Sequence, residues 1–463
     1  MNLSFGKESP AKYIQLCLNL LIGSLLITLA GCQSIPSLAP SQDIVPVNNS
    51  ETPILSDTPV PEVTNSDSEP TTEATTEPDE TGQTLTFWTI EQISPSAEEP
   101  LSDFVTKSLG AFERNNPGIK VELLIKKPSG KGGVLDFLRT AKDVAPSVLP
   151  NVAILNATDL PQASIEGLIY PLDGRLDRSI VQDLIPAARK MGTIDEQLFG
   201  VPLGLEMQHT VYNSLVFETQ PLLWSDVFTA NTKYLFPAKG INGIVNDMTL
   251  AQYFSAGGDL LSDEGLPTID ERVLRNVLDV YQQALENGTI DPTILEASTT
   301  EELWPRYVNR QAGIAQITVA QYLTDRELLS NTNVGSLPVL SKINTPISIT
   351  HGWVFVLTTD STDLQKQAAA LKLIEWFLST TNNITWNDLN KSIPSRDTSF
   401  QQLAANDPYW EFLTKQLNVA QPQPGFNGYD RVGRIIQQAI EQVIRGEATP
   451  EEATATAIDA LAQ

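Results

Sequence analysis

Residues able to make or break bonds are scarce in this chain. Its 463 residues include two His, His209 and His351, and two Cys, Cys17 and Cys32. That excludes a disulfide framework and any zinc site built on four thiolates or on three His. No Gly-x-Ser-x-Gly elbow and no His-Glu-x-x-His occurs. A nucleophilic triad is therefore not expected. Ser129-Gly130-Lys131-Gly132-Gly133 has the composition of a phosphate loop without the required spacing, and reads as a flexible turn. Carboxylate pairs remain open. They are defined by separation in space, and 56 acidic side chains hide any such pair from a sequence reading. The informative side chains are contact groups: Trp88, Glu91 and Gln92 in one place, and Asn156, Thr158 and Asp159 in another.

The elements around these groups give them a position. Residues 85–90 are β-branched and aromatic, a first strand ending near Trp88. A helix follows, with Ser102 as its cap and Phe104, Val105, Leu109 and Phe112 on one face. Asn115-Asn116-Pro117-Gly118 stops it. Residues 119–125 form a second strand. Residues 151–155 form a short apolar third one, the pattern of a parallel strand buried on both faces. This β-α-β rhythm predicts an open sheet flanked by helices. Such sheets place ligands at the carboxyl ends of their strands, where both contact groups fall. Trp88 has a core aromatic as its alternative, and Asp159 a helix cap. Farther on, Thr268 to Glu271 spells a capping box before a stripe from Val273 to Leu285. Residues 364–378 and 432–444 form two more helices. Thr449-Pro450-Glu451-Glu452 caps the last. Residues 312–317 and 353–357 are strand-like.

The first 83 residues read differently. Lys7 and Lys12 precede an apolar run that ends in Leu29-Ala30-Gly31-Cys32. This is the layout of a secretory signal, residues 1–31. The tetrapeptide resembles the bacterial lipobox, which implies acylation of Cys32; the alternative is an uncleaved N-terminal anchor. Residues 32–83 then hold ten acids, no Lys or Arg, and recurrent Pro. Such a segment cannot bury enough apolar surface to fold, and is expected to be a disordered tether with a coil span of about 40 Å. No later stretch of about 20 apolar residues is present to span a membrane. The whole chain has 30 basic against 56 acidic side chains, a net charge of −26, which argues against nucleic acid as a partner.

A set of ordered motifs then carries a resemblance over residues 84–463. Residues 85–89 look like an opening strand. Phe112 through Asn116-Pro117-Gly118 to Val121, Pro150-Asn151-Val152, and Gly167-Leu168 with Pro171-Leu172-Asp173 follow in order. Next come Phe199-Gly200-Val201-Pro202 with Val211-Tyr212-Asn213, then Pro221 to Asp226 with Trp224, then Gly257-Gly258-Asp259 with Asp263-Glu264-Gly265. Residues 308–316, His351-Gly352, 368–378, Ile393 to Arg396, and 446–453 complete the series. Together they resemble the extracellular solute-binding lipoproteins of bacterial ABC importers, the family that includes maltose-binding protein. Asn151 stands where the family has Asp, and His351 where it often has Gly.

The resemblance implies an α/β fold of the two-lobed periplasmic-binding-protein type (type II), each lobe an open, mostly parallel sheet flanked by helices, with a hinge between them. Residues 84–205 and 352–392 would form the first lobe, and 206–351 and 393–463 the second. It implies a solute, mostly a sugar, held in the interlobe cleft, with no cofactor, no metal and no catalysis. The partners would be ABC permease subunits and the membrane, reached through the lipid on Cys32, and the protein would be an extracytoplasmic monomer. Sugar recognition needs aromatic faces for the ring and acids or amides for its hydroxyls. On the implied crossings these are Glu206 and Gln208, then His351, Gly352 and Trp353. Gly258 with Asp259, Trp304, and Phe426 with Tyr429 are the remaining candidates. Each has an alternative: an interlobe ion pair for Glu206, a plain loop for Gly258 and Asp259, core packing for Trp304, a structural role for His351. A surface glycosidase with two carboxylates, and a scaffold lipoprotein that has lost its ligand, are the rival functions.

Overall fold

The computed structural model describes residues 82–358 and 363–463. The expected signal peptide, Cys32 and almost all of the expected tether lie outside them.

Fourteen strands are described. The first lobe's run begins with β1 (Gln83–Ile90), β2 (Ile119–Lys126), β3 (Val152–Asn156), the short pair β4 (Thr193–Ile194) and β5 (Gln197–Leu198), and β6 (Gly200–Pro202). Then come β7 (Gly204–Asn213), β8 (Tyr234–Leu235), β9 (Ile314–Thr318), β10 (Thr332–Gly335) and β11 (Ile349–His351). Last are β12 (Trp353–Leu357), β13 (Ile393–Pro394) and β14 (Gln421–Pro422).

One sheet has the order β2-β1-β3-β12-β6. β1 is parallel to β2 and β3, as the β-α-β rhythm predicts, while β12 runs antiparallel to β3 and β6. Phe87, Phe355 and Phe377 stack in its core. The second sheet has the order β14-β11-β7-β9-β8, with β10 and β13 also on β7. Here the long β7 is antiparallel to β9, β10, β11 and β13. The two-lobed α/β architecture is as expected, but strand direction is mixed, because returning segments fill the sheets from the opposite sense. The second lobe has its own core around Trp224, Tyr234, Phe236 and Tyr281.

The chain passes between the sheets at three places. Leu203 separates β6 from β7, and Gly352 separates β11 from β12. Residues 391–392 separate the helix Thr380–Asn390 from β13. The Leu203 carbonyl accepts from Asn383 Nδ2 (2.6 Å) and Asn387 Nδ2 (3.0 Å), which ties the first crossing to the helix that leads into the third. Both glycines at the crossings are forced by close approach. A Cβ on Gly352 would stand 2.6 Å from Met191 Sδ, and one on Gly204 would overlap Asn387 Oδ1.

Two expected caps shift. The helix Leu101–Asn115 starts directly after Pro100, so Ser102 lies inside it. Asp270, not Thr268, caps the helix Glu271–Glu286, accepting from Val273 N–H at 2.8 Å. The Thr449/Glu452 box forms reciprocally. Among the described residues, no helix is long and apolar enough to cross a membrane.

Candidate functional site

The crossings enclose a cavity of about 310 Å³. The first lobe and the third crossing line it with Gln92, Ile93, Trp353, Trp386, Asn390 and Ser392, and the second lobe with Leu205, Glu206, Ala320 and His351. This volume is at the lower end of the range for small-molecule sites, about 300–1,000 Å³. Two indoles with amide, carboxyl and imidazole groups give it both elements that a polyhydroxylated ring needs.

Strand register explains how two of these groups meet. β11 pairs with β7 so that His351 stands opposite Glu206. Directly opposed residues point to the same face. Glu206 Oε1 accepts the Met207 N–H at 3.0 Å and the Val319 N–H at 2.9 Å. Burial nevertheless pushes the Glu206 carboxyl up to about 8, against the pull of the Met207, Val319 and Ala320 N–H groups and of His351. At neutral pH the protonated form therefore dominates, and the group can donate as well as accept.

Behind His351 lies a polar relay. Its Nε2 is 2.7 Å from Asp247 Oδ2, and its Nδ1 is 3.0 Å from Gln423 Oε1. Gln208 Nε2 donates to the same Asp247 oxygen at 3.0 Å. Asp247 opens the helix Asp247–Ser255, where Asn246 is the cap. Desolvation would lower the His351 pKa, but the charge and hydrogen bond of Asp247, then Gln423 and Glu206, raise it above the ordinary value. Two acceptors on the two ring nitrogens suit the doubly protonated imidazolium. Burial pushes the nearby Tyr429 hydroxyl far up, and Asp247 adds to this.

Of the residues singled out from sequence, Gln92, Glu206, His351, Gly352 and Trp353 come together around the cavity. Gln208 stands behind it in the relay, and Tyr429 is buried close to Asp247. Phe426 is half-buried against Tyr429, ring centroids 5.6 Å apart. Asn156 spends its side chain on Thr158, whose N–H and Oγ1 both donate to it. Asp159 makes no cap bond to the helix that follows it.

The others sit elsewhere. Trp88 is 3 % exposed, in the first core against Phe137, with Lys126 Nζ 4.8 Å from its ring. Glu91 is exposed and is not part of the cavity lining. Gly258 packs on the Tyr253 ring, and Asp259 offers its carbonyl to the Tyr253 hydroxyl at 2.8 Å. Trp304 stacks on Tyr307 and donates to Asp325 at 2.7 Å, within a separate small core.

Trp386, Asn390, Asp247 and Gln423 were missed. Asp247 had a local signal, an Asn-Asp helix start; Trp386 and Asn390 had none, because only the third crossing brings their helix to the cavity. Among the described residues, no group of three or more His, Cys, Asp and Glu is placed to hold a metal ion.

The structure is similar to several solved ones. The sugar-binding protein MalE of Xanthomonas citri matches with a TM-score of 0.67 and 18% identity, over 82% of this chain and 98% of that one. The cyclic α-maltosyl-1,6-maltose binding protein of Arthrobacter globiformis gives 0.66 and 19%, again over 82% and 98%. Maltose-bound MalE3 of T. maritima gives 0.64 and 17%, over 82% and 99%. Identities this low establish the fold alone. Comparison with the curated protein sequences finds no match. The family model of the bacterial extracellular solute-binding proteins does match, over residues 107–411. That span is well over half the chain, and the protein belongs to the bacterial extracellular solute-binding protein family.

Proposed function

We propose that the protein is the extracytoplasmic receptor of an ABC importer and takes a short sugar into the cavity at the crossings. The observation that carries this reading is the lining itself: Trp353 and Trp386 beside Gln92, Glu206, Asn390 and His351, with no Lys or Arg among them. Ring faces cover the apolar side of a sugar, and amide and carboxyl groups take its hydroxyls. The similar structures bear the names of maltose and related sugars, which supports the same ligand class. Among the described residues, Glu206 is the one acidic side chain lining the cavity, whereas a glycosidase needs two across the scissile bond. That favours binding without chemistry.

In this reading residues 84–205 with 352–392 move against 206–351 with 393–463. Solute contacts both lobes only when they close, so it shifts the population toward the closed form. Removal of residues 1–31, acylation of Cys32 and the acidic tether would keep the receptor, as a monomer, beside its permease.

The test is thermal unfolding of the purified full-length protein against mono-, di- and oligosaccharides, polyamines and phosphorylated solutes. At a thousand times Kd a ligand adds about 4 kcal/mol and moves the midpoint by several degrees. A shift with one sugar class, the sugar recovered intact, is expected. A shift only with polyamines or phosphorylated solutes would overturn the sugar assignment.

A further inference from the structure

The second sheet has an open edge. Strand β10 pairs with β7 and with no other described strand. The alternation of an antiparallel ladder fixes which way its groups point. Asn213 N–H donates to the Gly313 carbonyl on the β9 side of β7, at 2.8 Å, and Ser214 N–H to the Asn331 carbonyl on the β10 side, at 2.9 Å. By register, Asn333 and Gly335 then bond to β7, while the N–H and C=O of Thr332 and Val334 point away from it. Among the described residues, these outward groups have no hydrogen-bond partner.

A cavity of about 620 Å³ runs along this edge. Tyr212 and Asn333, opposed in register, line it from one face of the sheet. Thr332 and Val334 line it from the other, with Tyr322 and Tyr409. His209, on the same face as Val334, holds both rings: Tyr322 packs edge-on against it, and the Tyr409 hydroxyl lies 2.8 Å from its Nε2. The two tyrosine rings stand 4.4 Å apart. A cavity bordered from both faces of a strand lies at the strand's edge. None of these residues lines the cavity at the crossings.

Sheet edges are commonly blunted by Lys, Pro or a covering element. Residues 332–335 read Thr-Asn-Val-Gly, with no such residue. Donor and acceptor repeating at strand spacing is the pattern of polypeptide backbone, and an extended segment adds to such an edge as a further strand. Charge narrows the class of segment. Arg326 is spent on Asp407. Glu327, also in the lining, is exposed and makes no ion pair among the described residues. The slot is therefore acidic, on a chain of net charge −26. Its complement carries Lys or Arg.

We propose that the β10 edge is a docking slot for a basic, extended segment of another polypeptide, which pairs with Thr332 and Val334 and sets a Lys or Arg beside Glu327. Neither lobe closure nor solute enters this reading.

The test is fluorescence anisotropy of the purified full-length protein with a labelled, end-blocked Lys-Val-Lys-Val-Lys-Val peptide, against its Glu-Val counterpart and a form N-methylated throughout. Binding of the unmethylated Lys peptide alone is expected. V334P removes one outward N–H at an edge position that proline tolerates, and should weaken binding about tenfold with the unfolding midpoint kept. E327Q should weaken it about threefold and flatten its salt dependence. In amide hydrogen exchange, Thr332 and Val334 should be fast in the free protein and slowed by the peptide, with Asn333 slow in both. If V334P does not fold, the methylated peptide and the exchange pattern decide. No binding, equal binding of the Lys and Glu peptides, or binding that N-methylation or a folded V334P leaves unchanged overturns the proposal. A parent dimer that V334P makes monomeric also overturns it, assigning the edge to pairing between copies of this chain.

Discussion

The two histidines stand in the second sheet within a few residues of the same crossing strand, yet they are opposite kinds of group. His209, on β7, is fully buried, with Nδ1 2.9 Å from the Thr210 carbonyl and Nε2 2.8 Å from the Tyr409 hydroxyl. Tyr322 and Phe412 pack edge-on against it. Neither polar partner is charged, and burial lowers its pKa to about 4. His351, at the end of β11, borders the cavity and faces Asp247. There desolvation is outweighed by Asp247 together with Gln423 and Glu206, and the pKa rises. One residue type becomes a neutral core strut in one place and a cationic part of a site in the other. The chemistry of the partner decides between them, not burial alone.

The largest effect expected from breaking this comparison is on the core side. His209→Ala removes a packed ring and orphans the Tyr409 hydroxyl, and should lower stability by about 3 kcal/mol in urea unfolding, with solute affinity kept in the folded fraction. The wild-type ring also leaves a signature in acid. The unfolded chain takes up its proton near pH 6.5, while the folded chain resists until about pH 4. Stability should therefore fall by up to about 3 kcal/mol across that window through His209, and His209→Leu should remove this share of the slope.

The same contrast holds for two tryptophans and predicts a somewhat smaller effect. Trp353→Ala should weaken solute binding by about 1–3 kcal/mol in calorimetry, with a modest loss of stability. Trp88→Ala should do the reverse, lowering the unfolding midpoint and sparing affinity. Equal affinity losses in the two variants would erase the distinction between core and site.

On the site side, His351→Gln should weaken binding about tenfold, since Asp247 loses its cationic partner. The sign of its pH effect is opposite to that of His209. A raised pKa gives stability that is present below about pH 6.5 and lost as pH rises through the higher folded value. The variant should lose that alkaline decline, as a pH series of unfolding midpoints would show. Smallest is the cap: Asp270→Ala should cost about 1 kcal/mol, and Thr268→Ala only a few tenths.

Much of the fold could be read along the chain. The stripe from Val273 to Leu285, the box at Thr449 and Glu452, and the β-branched runs are local patterns, and local patterns set local structure. The family reading came from the order of many weak motifs, and the match over residues 107–411 rests on the same stretch. Caps were legible only to within a turn: Thr268 and Asp270 both offer an oxygen near the same helix start, and only the backbone path selects one.

The site was legible where a single segment carries it. Residues 351–353 lie between two strands, so the chain itself puts His351, Gly352 and Trp353 at the crossing. Glu206 follows from β7 in the same way. Trp88 was placed at the right end of the right strand, but a strand has two faces, and the sheet turned its ring toward Phe137 and the core. Trp386 and Asn390, more than thirty residues downstream of Trp353, reach the cavity through the helix Thr380–Asn390, and Asp247 reaches His351 across 104 positions of sequence. By itself the sequence determined the elements, their order, the scarcity of catalytic groups and the family. Which aromatic ring faces the cavity and which histidine carries charge were decided by the tertiary structure. Those outcomes depend on distances between segments remote in sequence, and on the dielectric that their packing creates.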